Sequence, residues 1–432
     1  MADTPSSLPR RLSSRSSTAS GRETTSTSPG ADPADTRSAA ALVAVKRLFA
    51  AESTQFFVVL GTAIFLVVFG LVMVLSSSSV EQYVATHDFF GAFLRQGIFA
   101  AIGVPLMLVL SRVPTWAWMK YSWHLLGASM LLQLLVFSPL GVTVNGNRNW
   151  IHIGSFSAQP SEFLKLSLSI WIGMILVKKE SRLSDWKQLA VPLLPVVGIA
   201  VLLVMRGGDL GTTLILLIMV GVAVFLSGVR LKFFIVPLLL LAVVVPLLTV
   251  TGGSSRSTRI SAWLDGCNTV AAYQSTCWQT THGIWALASG GIFGVGLGNS
   301  KAKWSWLPEA DNDFIFAIIG EELGLIGACV VLGLFIVLTV SFIKIIRRSD
   351  SAFARIVTGA IMTWVIGQAL VNIAVVLGLL PVLGVPLPLI SAGGSSLVFV
   401  LVALGVVLSF VHHTPDQEPQ ARPSFDRVGS VR

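Results

Sequence analysis

Residues 307–348 read LPEADNDFIFAIIGEELGLIGACVVLGLFIVLTVSFIKIIRR, and this stretch decides what kind of protein the chain is. From Phe314 to Ile346 the run is almost wholly apolar. As one helix it would be roughly 50 Å long at 1.5 Å per residue. The hydrocarbon of a bilayer is only about 30 Å thick. With Lys344 anchoring one end, about 20 residues bring the helix to the neighbourhood of Gly324. Glu321 and Glu322 then stand near the opposite edge of the hydrocarbon, and Asp313 lies about one to two turns further out, at headgroup level. Carboxylates at such depths are costly and mark a functional site. For Asp313 a second reading stands beside this one, that of a helix N-cap.

The rest of the chain agrees with a membrane reading. It is 53% hydrophobic and only 12% charged, about half the charge of a soluble domain. The polar, Ser/Thr-rich first residues do not read as a cleavable signal peptide. The net charge of +9 would suit nucleic acid. The Lys and Arg residues sit mostly in short loops between spans, however, where they set topology, and a nucleic-acid partner is rejected. Three cysteines make neither a disulfide scaffold nor a CxxC site, and six histidines form no HExxH pair. No GxxxxGK[ST] loop is present, so ATP-driven work is excluded.

The expected fold is an all-α integral membrane protein of ten transmembrane helices. The spans start near Phe56, Gly97, His124, Ser161, Leu189, Thr212, Phe233, Phe314, Ile356 and Ser395. Residues 1–53, rich in Ser, Thr, Pro and Arg, read as a disordered cytoplasmic tail, 54–413 as the membrane domain and 414–432 as a second cytoplasmic tail. Basic residues follow every even-numbered span: Arg112 and Lys120, then Lys178, Lys179, Arg182 and Lys187, then Arg230 and Lys232, then Lys344, Arg347, Arg348 and Arg355. Those loops are therefore expected in the cytoplasm with both termini. The outer loops carry NGNRNWIHIGSFSAQPSEFLK, RGGDLGTT, a large extracellular segment between spans seven and eight (251–312), and PVLGVPLPLISAGG.

Candidate residues follow from that geography. Ser161, Glu162 and Lys165 open the fourth span, with Glu162 and Lys165 three apart on one helix face. Lys165 needs a partner there, either a carboxylate such as Glu162 or Glu322, or a phosphate. Arg148 and Arg259 would join it on a phosphate, because Arg bonds phosphate oxygens bidentately. Asp209 opens the sixth span as a cap or as a ligand contact. Trp150, Trp263, Trp278, Trp285, Trp304 and Trp306 fall in outer segments, where an aromatic belt accounts for most and sugar faces for some. Cys267 and Cys277 share the large loop, where they pair or stay reduced, and Cys329 reads as core.

The motifs together resemble the SEDS family (shape, elongation, division and sporulation), within it the cell-division branch, with the elongation branch the nearest competitor. They are NGNRNWI with QPSEFLK (Gln159 to Lys165), GDLGTT, ASGGIFGVGLG, LPEADNDFIFAIIGEELG and PLPLISAGGSS, in this order over nearly all the chain after the tail. The resemblance implies a peptidoglycan glycosyltransferase of the plasma membrane, enriched at the division septum, that polymerises lipid II onto a growing glycan strand. It implies that Asp313 is the essential catalytic aspartate. Lys165, Trp150, Glu309 and Gln159 take the family's other motif positions. It further suggests a divalent cation, Mg or Mn, and as partners a class B penicillin-binding protein and divisome proteins. Asn149 departs from the family pattern, which commonly has Arg before that Trp. Two other classes accommodate the charges: a lipid II flippase, and a scaffold that recruits a partner enzyme. Polar residues gathered on one side and not at the midplane argue against transport.

Overall fold

The computed structural model describes residues 53–144, 146–154, 156–182, 186–229, 254–266, 273, 277–304 and 306–412. The two tails and the seventh expected span, near Phe233, lie outside these residues, as does Cys267. The helices are α1 (Thr54–Thr86), α2 (Gly91–Leu110), α3 (Thr115–Leu135), α4 (Pro160–Lys178), α5 (Trp186–Arg206), α6 (Leu210–Leu226), α7 (Ser254–Leu264), α8 (Trp278–Gly290), α9 (Ile315–Arg348), α10 (Ala352–Val376) and α11 (Ser395–His412). Nine of the expected spans thus coincide with a helix. Among the described residues six helices are long and apolar enough to cross a membrane, and Leu210–Leu226 and Ser395–Val411 are shorter apolar helices. α3 falls outside both groups, since Lys120, His124 and Gln133 dilute its apolar character.

α4 and α10 form the centre. α4 packs against α3, α10, α6 and α11, and 89% of its apolar window is buried. A helix that is buried all round must be apolar or small all round, and α4 carries Ser167, Ser169 and Gly173 where neighbours come close. A Cβ on Gly173 would sit 2.5 Å from a Val357 methyl of α10. Cys329, read from sequence as core, faces outward from the bundle instead.

Two departures from the expected loops position the site. The loop after α3 folds into a three-stranded antiparallel sheet, β1 (Gly141–Val144), β2 (Asn147–Ile153) and β3 (Phe156–Ala158), in the order β1-β2-β3. Gly146, at φ +80°, makes the turn between the first two strands. The large segment before α9 is also not a bare loop, because it contains α7 and α8.

The apolar run from Phe314 to Ile346 is not one continuous helix. Gly324 breaks α9 at φ 68°, ψ −165°, a conformation that favours glycine. The carbonyls freed there are taken by a neighbouring segment: Val295 N–H donates to Glu321 O (2.9 Å) and Gly296 N–H to Glu322 O (3.0 Å). A helix can be interrupted at membrane depth only where its backbone groups are satisfied in this way. The portion from Leu325 to Arg348 is long enough to span alone. The portion from Ile315 to Leu323 lies beyond that span and carries Glu321 and Glu322.

Candidate active site

Four segments expected on one face do converge. β2 meets the α5–α6 turn, where Arg148 N–H donates to Gly207 O (2.8 Å). Gln159 N–H donates to Ser395 Oγ of α11 (3.2 Å). The segment before α9 is clamped through three successive carbonyls: Asp311 O accepts from Ala392 N–H (2.9 Å), Asn312 O from Ser391 Oγ (2.7 Å) and Asp313 O from Asn372 Nδ2 (2.7 Å). The turn closes on Glu309, held at φ 57°, whose carbonyl accepts from Asn312 and Phe314 N–H (both 3.1 Å). A non-glycine residue there costs about 1–2 kcal/mol, which the surrounding bonds must hold.

This clamp fixes the backbone of Asp313 and leaves its carboxylate without a structural task. The N-cap position of α9 is Phe314 and has no side-chain cap bond, which sets aside the capping reading. The residue is half-buried, but its Oδ1 is sealed from solvent and has no hydrogen-bond partner. Burial first, then the charge of Glu309, pushes the carboxyl up to about 7, with Asp209 and Asp311 adding to the rise and Arg259 opposing it. Asp311 is pushed up to about 6 by burial and by the charges of Glu81 and Glu309, with Arg95 opposing. A carboxylate whose proton comes and goes near neutrality suits general-base chemistry.

The other expected site residues separate into those near Asp313 and those that build its frame. Arg259, half-buried on α7, stabilises the ionised Asp313. Asp209 is buried and is both a cap and a tie: Oδ1 accepts from Thr212 N–H (2.8 Å), and Oδ2 accepts from Gln159 Nε2 (2.9 Å) and Asn149 Nδ2 (3.3 Å). Asn149, the departure from the family pattern, thus takes part in the knot joining β2, α4 and α6. Trp150 sits half-buried in β2 opposite Val142. Ser161 is buried with its hydroxyl unpartnered.

Of the two partners expected for Lys165, a carboxylate or a phosphate, the structure shows the carboxylate, Glu162. The lysine is 1% exposed, and its ammonium bonds Glu162 Oε1 (2.8 Å) and Gln368 Oε1 (2.8 Å) and lies over the Trp364 ring (4.8 Å). A charge buried to this extent must be neutralised inside. Arg148 is exposed and donates to two carbonyls at the end of α3, Val136 O (3.1 Å) and Ser138 O (2.8 Å), the second of which also accepts from Gly141 N–H. Glu309 accepts from Asn312 Nδ2 (3.2 Å) while raising Asp313.

Sequence reasoning passed over Asn372, Gln368 and Ser391. The first two were discoverable as polar residues inside an apolar span; Ser391 lay in a quoted motif without a role. Cys277 is disulfide-bonded. Among the described residues no three His, Cys, Asp or Glu side chains converge to hold a metal.

The chain matches the family described as Cell cycle protein, that of FtsW, RodA and SpoVE, over residues 56–416. It is 35% identical over 374 residues to a Mycobacterium tuberculosis protein named probable peptidoglycan glycosyltransferase FtsW, covering 86% of this chain and 71% of that one. It is 40% identical over 351 residues to the Marinobacter nauticus protein of the same name, covering 80% and 86%. Among solved structures it is similar to a chain of a peptidoglycan synthase complex that coordinates polymerization and crosslinking. The TM-score is 0.67 at 27% identity, over 83% of this chain and 98% of that one.

Proposed function

This chain belongs to the cell cycle protein family of FtsW, RodA and SpoVE, and from that premise we propose that it polymerises lipid II into β-1,4 glycan strands, with Asp313 as the general base. It is a membrane-embedded peptidoglycan glycosyltransferase. The observation that supports the assignment of the base is the sealed, unpartnered Oδ1 of Asp313 on a clamped backbone.

In the proposed reaction Asp313 takes the proton from the 4-hydroxyl of the acceptor GlcNAc. The freed electron pair attacks C1 of the donor MurNAc, and the bond to undecaprenyl pyrophosphate breaks on the opposite face. One displacement inverts the α-linked donor to a β-1,4 link. A positioned base contributes about 10²–10⁴ in rate. The remainder comes from stabilising charge on the departing pyrophosphate. We assign that task to Arg259, because its charge acts on Asp313 while Lys165 and Arg148 are bonded within the protein. With no three-ligand cage among the described residues, Mg or Mn would come with the pyrophosphate, as Mg commonly does. The basic loops support a site on the outer face with both termini in the cytoplasm. Septal placement, divisome contacts and a class B penicillin-binding protein as crosslinking partner follow from the same reading.

The test is polymerisation of labelled lipid II by the purified chain with its crosslinking partner. Wild type is expected to make long strands and Asp313→Asn none, with fold and partner binding retained. Strands made by Asp313→Asn at the wild-type rate would remove Asp313 from the mechanism. A chain that only moves lipid II between leaflets would be a transporter.

A further inference from the structure

Between α8 and the segment from Lys301 to Trp306 lies a cavity of about 480 Å³, within the size range of small-molecule sites. One face of α8 supplies His282, Trp285 and Ser289; the facing segment supplies Lys301, Trp304 and Trp306. The three tryptophans are 53%, 61% and 57% exposed, so more than half of each side chain is open. Residues that only anchor a chain in a membrane need no shared cavity; these line one.

The floor is rigid and polar in one defined place. Trp278, His282 and Trp306 form a stack, with Trp278 and His282 centroids 3.9 Å apart and Trp278 and Trp306 planes 13° from parallel. Trp278 Nε1 donates to Trp306 O (2.7 Å) and locks the segment to the helix. His282 is 5% exposed, and its Nδ1 lies 2.8 Å from Trp278 O. A carbonyl can only accept, so Nδ1 carries the proton and Nε2 is left as a bare acceptor. That Nε2 is sealed and has no partner. A buried acceptor without a donor is unfavourable, and a hydroxyl would satisfy it. Glu321, at the cavity wall, is already saturated by Ser289, Ser300 and two backbone N–H groups, so it fixes the shape.

Flat aromatic faces, a waiting acceptor and an exposed lysine together describe a sugar chain better than a lipid tail, which offers neither rings nor hydroxyls. Resting on the glycosyltransferase reading, we infer that this cavity is a glycan subsite that holds β-1,4-linked amino-sugar rings of the strand. Its position agrees: Trp306 is joined to Asp313 by a short clamped segment, and Gly283 of α8 packs against Phe314 so closely that a Cβ there would come within 2.8 Å of the Phe314 ring. Rings coupled at Asp313 have this aromatic platform beside them.

The probe is a soluble β-1,4-linked N-acetylglucosamine tetramer, which has neither lipid nor pyrophosphate, titrated against the full chain in detergent and followed by tryptophan fluorescence and calorimetry. Saturable binding is expected, weakened at least tenfold by Trp306→Ala and by His282→Phe. Trp304→Ala, on the facing segment, is the second variant should Trp306→Ala fail to fold, and a tenfold loss is expected there too. No binding by the folded wild type, equal binding by the folded variants, or displacement of the tetramer by a short-chain polyprenol would each overturn the subsite. Tetramer binding by a chain that cannot polymerise lipid II would sink the enzyme reading and leave the subsite. Polymerisation without tetramer binding would do the reverse.

Discussion

The carboxylates Glu321 and Glu322 and the half-buried carboxylate of Asp313 lie within ten residues of each other around the start of α9, and they are opposites. Glu321 and Glu322 are 2% and 0% exposed and are saturated. Glu322 accepts from Ser76 of α1 (2.7 Å) and pairs with Lys303 (3.3 Å), while Glu321 accepts from Ser300 and from Lys301 N–H (3.0 Å). Asp313 has a sealed oxygen with no donor at all. Burial alone therefore does not mark a functional acid. The distinguishing feature is whether the protein satisfies the charge: Glu321 and Glu322 hold the segment around Ser300 in place, and Asp313 is left for a substrate proton.

Exchanging the charges should break the comparison most visibly. Asp313→Asn is expected to lose about 10²–10⁴ of the polymerisation rate while remaining folded. Glu322→Gln leaves the Lys303 ammonium buried without its counter-charge, and a loss of about 3–5 kcal/mol is expected in detergent unfolding. Adding Lys303→Met should restore much of that stability. A Glu322→Gln protein as stable as wild type would erase the distinction between the groups.

Stability against pH sharpens it further. The Asp313 carboxyl sits at about 7 in the fold, above the unfolded value of about 3.9. Its ionised form is thus penalised in the native state. The penalty is absent below pH ~4, accrues between the two values and is complete above pH ~7. Asp313→Asn should consequently be more stable than wild type by about 1–3 kcal/mol at pH 8 and equal to it at pH 4, as read by thermal unfolding.

Gly324→Ala places a Cβ 2.4 Å from Gly294 N at a positive φ. A loss of about 1–3 kcal/mol is expected, with the Ile292–Gly296 segment loosened in hydrogen exchange. The smallest effect is electrostatic. A catalytic base that must be ionised makes the rate rise with pH through about 7. Glu309 is the leading charge holding that value up, so Glu309→Gln should move the rise to lower pH by about one unit or less, measured as the acid limb of the rate profile. A shift to higher pH would reverse the assigned sign.

Hydropathy and basic loops made most of the helices legible, because a bilayer admits few other arrangements of a chain this apolar. Asp313 was legible as a carboxylate at an expensive depth. Lys165 was visible as a charge needing a partner, but which partner depended on Gln368, distant in sequence, arriving from α10. The break at Gly324 stayed hidden because GEELGLIG is apolar enough to read as one continuous helix. Only the segment from Gly291 to Gly296, packed alongside, makes the interruption tolerable.

By itself, then, the sequence determined the solvent each segment would meet, since side-chain transfer between water and hydrocarbon is a local property of the residues. Beyond the Glu162–Lys165 neighbours, the partners of the charges were decided by tertiary structure. Ser76 of α1 reaches the Glu322 carboxylate, whereas the donors from α10 and the α10–α11 loop take the main-chain carbonyls of Asp313 and Asn312 and leave the Asp313 carboxylate open, and no spacing within one segment encodes those encounters.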